Sequence, residues 1–147
     1  MENYMHVRFP AVSQNEGLSR MLISAFVSQF DPTLDELTDV KTAVSEAVTN
    51  CIIHGYARRP GEVELTAERD GRRVVVTVRD RGEGIANVEK AMEPFYTSKP
   101  ELERSGMGFT VMETFMDSLR VTSRPGEGTT VRMEKAFAPR PSGDDEP

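Results

Sequence analysis

Residues 62–84, EVELTAERDGRRVVVTVRDRGEG, read as a β-hairpin that ends in a carboxylate set among glycines. In the first arm, residues 62–69, Val63, Leu65 and Ala67 fall on one face of an alternating strand. Asp70-Gly71 is a two-residue turn signal, and Arg72–Asp80 returns as the second strand. That strand runs into Asp80-Arg81-Gly82-Glu83-Gly84. Turns use Asp and Gly, so a plain turn is one reading. In the other, Asp80 leaves the strand end pointing into a pocket and accepts a hydrogen bond from an exocyclic amine such as adenine N6. Gly82 and Gly84 would then let the backbone approach a flat ligand closely.

Upstream, residues 5–9 alternate and form a short strand. Ser13 or Asn15 caps a helix running to about Phe30, with Leu18, Met21, Leu22, Ala25 and Phe26 at helical spacing. Asp31-Pro32 ends it, because the residue before proline avoids helical backbone. A second helix runs from Thr33 or Asp35 to His54, burying Leu37, Val40, Val44, Ala47, Val48 and Cys51. Gly55 follows, where a helix C-terminus takes a left-handed residue. Downstream, a short helix over 87–93 precedes a long loop over 94–108 that is rich in Pro, Gly, Ser and charge. A helix over about 107–116 and a hairpin of residues 119–124 and 128–137 complete a single domain, residues 1–137. The tail, 138–147, is expected to be disordered. The pattern predicts an α+β fold, a two-layer α/β sandwich with helices on one face of a mixed sheet.

Three further constellations carry chemistry. Glu46 and Asn50 stand four apart on one helix face, either as an exposed polar pair or as an acid–base carboxylate beside a neutral Mg²⁺ ligand. Ser105-Gly106-Met107-Gly108 leads into a helix, either as a flexible capped loop or as a phosphate site of free N–H groups and positive dipole. Thr129 and Thr130 open the last strand, as β-formers or with a hydroxyl beneath a purine.

Composition limits the alternatives. The 147 residues hold 24 acidic and 18 basic side chains, a net charge of −6, which argues against sequence-independent nucleic-acid binding. No run of 18 apolar residues and no secretory leader is seen, so no membrane partner and a cytoplasmic location are expected. One cysteine, Cys51, allows no intrachain disulfide and reads as a small core residue. No P-loop and no protein-kinase H-R-D or D-F-G signature is present.

The order of these motifs is more specific than any one of them. E-x-x-x-N on a helix, D-x-G-x-G after a strand, a long loop ending G-x-G into a helix, then G-T-T resembles the Bergerat-type ATP fold of gyrase, sensor histidine kinases and MutL. SEAVTN at 45–50, HGY at 54–56 and TSKPELERSGMGFTVMETFMD at 97–117 are similar to the anti-sigma-F factors of spore-forming bacteria, over roughly residues 5–135. That family comprises serine kinases that also bind a sigma factor. The resemblance implies ATP and Mg²⁺ as cofactors, with Glu46 as acid–base and Asn50 as the magnesium ligand. It implies Asp80 as the adenine reader, with Gly82, Gly84 and Ile85 shaping the pocket and Thr130 supporting the adenine side. It makes residues 97–108 a lid, with Thr97, Ser98, Lys99, Ser105, Gly106, Met107, Gly108 and Phe109 around the nucleotide. Lys99 and Arg104 read equally as ordinary solvated loop charges. The partners implied are a sigma factor, an anti-anti-sigma protein phosphorylated on serine, and a second copy in a homodimer. Arg20 and Arg104 are the implied partner contacts. A stress-response-type anti-sigma kinase and a nucleotide-gated sigma-binding module without kinase activity are the rival readings.

Overall fold

The computed structural model describes residues 2–93 and 108–139. Strand β1 (Asn3–Pro10) leads to helix α1 (Gln14–Val27), which tightens into a 3-10 turn at Ser28–Phe30. Helix α2 (Leu34–Asn50) runs on into a wider π turn over Cys51–Gly55. Then come β2 (Glu62–Asp70), β3 (Arg73–Asp80), the single turn α3 (Val88–Ala91), α4 (Gly108–Phe115), β4 (Ser118–Arg124) and β5 (Gly128–Ala136).

The five strands lie in the order β1-β2-β3-β5-β4, and every neighbouring pair is antiparallel. The expected mixed sheet is therefore corrected to an antiparallel one. Two tight hairpins, β2–β3 and β4–β5, supply four of the strands, and a tight turn can only join antiparallel neighbours. β1 and β5 then flank the central hairpin, each running against its neighbour. The helices cover one face, as the hydrophobic patterning requires.

Alternation in β2 and β3 decides which side chains meet the helices. Val63, Leu65 and Ala67 of β2 and Val74, Val76 and Val78 of β3 are fully buried. The next inward position of β3 is Asp80, so the strand's period of two delivers a carboxylate to the helix side of the sheet. From α2, Val40, Ala43, Val44, Ala47 and Val48 fill the space opposite.

The start of α2 is fixed by a reciprocal cap. Thr33 Oγ1 accepts from the Glu36 N–H at 3.1 Å, and Glu36 Oε1 accepts from the Thr33 N–H at 2.9 Å. The other Glu36 oxygen accepts from the Ala138 N–H at 2.9 Å, tying the chain after β5 to this helix end. Burial pushes the Glu36 carboxyl up, but these backbone donors outweigh it and hold it below its usual range.

Helix α1 departs from the expected stripe. It buries Ser19, Ile23, Phe26 and Val27, while Met21 is 74% and Leu18 42% exposed. The buried face is rotated away from Leu18 and Met21 because α1 packs across α2 and the β1–β2 edge rather than onto the sheet centre. Ser13 stands at the N-cap without a side-chain cap bond; Asn15 instead donates to the Pro10 carbonyl. The left-handed residue before Pro32 is Asp31, with φ of 51°.

Candidate functional site

A cavity of about 300 Å³ opens where the C-terminal end of α2, the end of β3 and the first turn of α4 converge. Asp80 forms its floor and is 4% exposed. The Gly82 N–H donates to Asp80 Oδ1 at 2.9 Å, and Cys51 and Thr129 stand in the same cavity wall. Removal from water pushes the Asp80 carboxyl above its ordinary 3.8, and polar contact with Gly82, Cys51 and Thr129 opposes the rise. Cys51 is itself buried, and its thiol is pushed well up by desolvation and by the Asp80 charge. It is an inert thiol in the cavity wall, not a nucleophile.

Glycines set the shape around this carboxylate by close approach. A Cβ on Gly55 would stand 2.7 Å from the Asp80 carboxyl carbon, and one on Gly82 would stand 1.9 Å from the Gly55 carbonyl oxygen. The Glu83 N–H donates to that same carbonyl at 2.8 Å, so the loop after β3 is stitched to the π turn. Gly55 was expected to be left-handed and is not; the positive φ values nearby belong to Ala57 and Arg58. The helix does not stop at position 55 but widens, with the Tyr56 N–H reaching back five residues to the Cys51 carbonyl at 2.9 Å. Gly55→Ala is expected to destabilise the fold by about 1–3 kcal/mol through overpacking. Thermal melting and nucleotide titration check this, with nucleotide binding lost in the same variant.

Gly84 has φ of 76° and its Cβ would stand 2.0 Å from the Arg124 carbonyl oxygen, so no other residue fits there. Ile85 follows it into the cavity wall, its N–H donating to Ser123 Oγ at 2.7 Å. Ser123 in turn bonds the Gly128 carbonyl at 2.9 Å and Thr129 Oγ1 at 2.8 Å. Thr129 lines the cavity; Thr130 does not. Thr130 pairs with Arg79 and Thr122 on the opposite face of β5, one step out of phase with Thr129 and Val131. The strand's phase thus turns the Thr129 hydroxyl, not that of Thr130, toward the cavity.

At the other end, Asn50 lines the cavity beside Gly108 and Phe109. A Cβ on Gly108 would stand 3.0 Å from Asn50 Nδ2 and 3.1 Å from Oδ1, so this glycine lets α4 begin against the amide. Glu46 lies half-buried one helical turn before Asn50, outside the cavity wall. Arg20 ion-pairs with Glu16 at 2.7 Å, and the same Glu16 oxygen accepts from Ser45 Oγ at 2.6 Å. Arg20 is thereby anchored to α2 next to Glu46. Thr97, Ser98, Lys99, Arg104, Ser105, Gly106 and Met107, and the tail from residue 140, lie outside the described residues.

Sequence reasoning missed Cys51, Gly55 and Ser123 as parts of this site, and left the choice between Thr129 and Thr130 to the resemblance. The inward phase of β5 could have revealed Thr129, since Val131 and Met133 are its apolar companions. Nothing in the sequence indicates that the Cys51 thiol meets Asp80. Among the described residues no helix is long and apolar enough to cross a membrane.

A family model described as Histidine kinase-like ATPase domain matches residues 9–135, so the chain belongs to that class of ATP-using domains. The anti-sigma F factors of Clostridium kluyveri and Anoxybacillus flavithermus are 61% and 57% identical to it over 136 residues each. Those matches span 92% of this chain and 96% and 93% of theirs. Within the class, the chain is a member of the anti-sigma F factor family. The fold is similar to a structure of the RsbU and RsbW domains of a Mycobacterium tuberculosis protein, with a TM-score of 0.68 and 20% identity, covering 92% of this chain and 32% of that one. It is also similar to full-length ShkA in complex with AMPPNP, with a TM-score of 0.57 and 20% identity, covering 86% of this chain and 30% of that one.

Proposed function

We propose that this protein is an anti-sigma factor that holds a sporulation sigma factor and uses ATP and Mg²⁺ to phosphorylate a serine of an anti-anti-sigma protein. The observation that carries this reading is a single cavity with a buried carboxylate, Asp80, at one end and Asn50 at the other. The ionised Asp80 accepts from the adenine amine, with the Thr129 hydroxyl beside the purine. Asn50 offers a neutral amide oxygen, which suits a cation that takes few protein ligands and keeps phosphate and water oxygens. Magnesium there would neutralise phosphate charge, the chief requirement of phosphoryl transfer. Glu46, one turn back along α2, orients the incoming serine hydroxyl and takes its proton. Thr97, Ser98, Lys99, Ser105, Gly106 and Met107 cover the phosphates, with Gly108 at the hinge.

Arg20, held by Glu16, and Arg104 meet the macromolecular partners. The exposed Leu18 and Met21 beside Arg20 supply apolar surface suited to a second copy in a homodimer. The protein acts in the cytoplasm. The reading is tested by transfer of labelled γ-phosphate from ATP·Mg²⁺ to a purified anti-anti-sigma protein, with the modified residue mapped. Serine phosphorylation is expected. Tight nucleotide binding with no transfer would reduce the protein to a nucleotide-gated binder.

A further inference from the structure

We propose that Tyr56 is a positioning residue of the nucleotide site: its hydroxyl, wedged between the ends of β2 and β3, pins the backbone that follows Asp80 and so holds the carboxylate in place for the base. This rests on the reading of Asp80 as the group that meets the base.

Tyr56 closes the HGY run at 54–56, whose first two residues line the cavity. Tyr56 itself does not line it, so it acts on a ligand only through other residues. Its hydroxyl donates to the Glu62 carbonyl at 2.6 Å and accepts from the Arg81 N–H at 2.8 Å. Those two groups belong to the next rung of the sheet. The β2–β3 register runs outward to Glu64 opposite Arg79, so the next pair in phase is Glu62 with Arg81. The Gly61 carbonyl accepts from the Ala11 N–H on the β1 side, and alternation therefore turns the Glu62 carbonyl toward β3. A direct bond from Arg81 to Glu62 would close that rung, and the tyrosine hydroxyl occupies it instead. The ring reaches there across Gly61, where a Cβ would stand 2.4 Å from it.

The wedge bears on Asp80 through three successive N–H groups at the end of β3, each held by a different acceptor. Arg81 is held by Tyr56 Oη, Gly82 by Asp80 Oδ1 at 2.9 Å, and Glu83 by the Gly55 carbonyl at 2.8 Å. The Gly82 N–H is thus aimed at the carboxylate by an anchor on either side. The Gly55 anchor is backbone, so the Tyr56 hydroxyl is the one that a substitution removes. Without it the Arg81 N–H is free to close the rung with Glu62. That draws the end of β3 toward β2 and turns Gly82 away from Asp80. Phenylalanine at position 56 keeps the ring over Gly61 and removes the hydroxyl alone.

The test measures ATP and ITP affinities of the full chain by calorimetry for wild type, Tyr56→Phe, Asp80→Asn and the double variant, with melting curves beside them. ITP carries a 6-oxo group where ATP carries the 6-amino group that a carboxylate accepts from. Tyr56→Phe should weaken ATP about two- to tenfold, the worth of one neutral hydrogen bond, and leave ITP within about twofold. Its melting temperature should match wild type, since the closed rung replaces the lost bonds. In the Asp80→Asn background the same substitution should cost no further ATP affinity, because residues that act through one group are not additive. A merely structural role would lower the melting temperature or weaken both nucleotides alike, and either result without the ATP-selective loss overturns the proposal. An ATP-selective loss that persists in full in the Asp80→Asn background also overturns it, since Tyr56 would then act elsewhere. If wild type binds ATP and ITP equally, or Asp80→Asn keeps the wild-type preference, the base-reading role of Asp80 fails and that of Tyr56 fails with it. If Asp80→Asn loses the preference and Tyr56→Phe keeps it, Asp80 stands and Tyr56 alone is overturned.

Discussion

Asp80→Asn is expected to lower ATP affinity by roughly 10- to 150-fold while the protein remains folded. The carboxylate accepts from the Gly82 N–H at 2.9 Å, with Cys51 and Thr129 in the same wall, and is 4% exposed. An asparagine offers one oxygen and an amide N–H₂ that a neighbouring donor cannot satisfy. A buried donor left without an acceptor costs about 1–3 kcal/mol, a cost that falls on the stability of free and bound protein alike. Losing a charged acceptor for the base amine removes about 1.5–3 kcal/mol from binding. That range corresponds to roughly 10- to 150-fold in affinity. Calorimetric titration with ATP checks it, and an affinity within threefold of wild type would remove Asp80 from base recognition. The same carboxylate sets a pH dependence. Its pKa is raised by burial, and only the ionised form accepts from an amine, so ATP binding weakens as pH falls through that raised value. The nucleotide-free fold responds in the opposite sense. A native pKa above the unfolded one gives a stability contribution that is fully present below the unfolded pKa and lost as pH rises through the folded one.

Glu46→Gln should separate chemistry from binding. Glu46 lies one turn before Asn50 on α2 and does not line the cavity, so its loss leaves base recognition untouched. General-base assistance is worth about 100- to 10,000-fold, so serine phosphorylation should fall by that order. The ATP dissociation constant should stay within about threefold, since glutamine fills the same volume. Single-turnover transfer of labelled phosphate, alongside calorimetry, measures both. Wild-type transfer by this variant would demote Glu46 to a structural helix residue and leave positioning by the cavity and the metal as the whole of catalysis.

Much of this architecture was legible because local chemistry and global fold agree. The Asp70-Gly71 and Pro125-Gly126 turns join the strands the alternation had marked, with Gly71 and Gly126 at φ of 63° and 79°. The inward phase of β3 carried Asp80 to the helix side, as its position after Val74, Val76 and Val78 implies. What failed was non-local. Whether β1 joins β2 parallel or antiparallel is not written in either strand. Gly55 carried the composition of a helix stop, yet its role is to leave room for a carboxylate 25 residues later in the chain. The resemblance named Thr130, and strand phase turns Thr129 toward the cavity. The Cys51 contact joins a helix end to a strand end, and no spacing rule reaches across that gap.

The π turn that extends α2 has a mechanical consequence. Asn50 beside Gly108 and Gly55 beneath Asp80 belong to one unbroken rod, roughly 7 Å apart along its axis at helical rise. The two ends of the cavity are therefore spaced by a single continuous member. That rod is also bolted sideways to α1 through Ser45 and Glu16, the residue that holds Arg20. Through that tie the surface of α1 at Arg20 and the cavity-lining helix share one support.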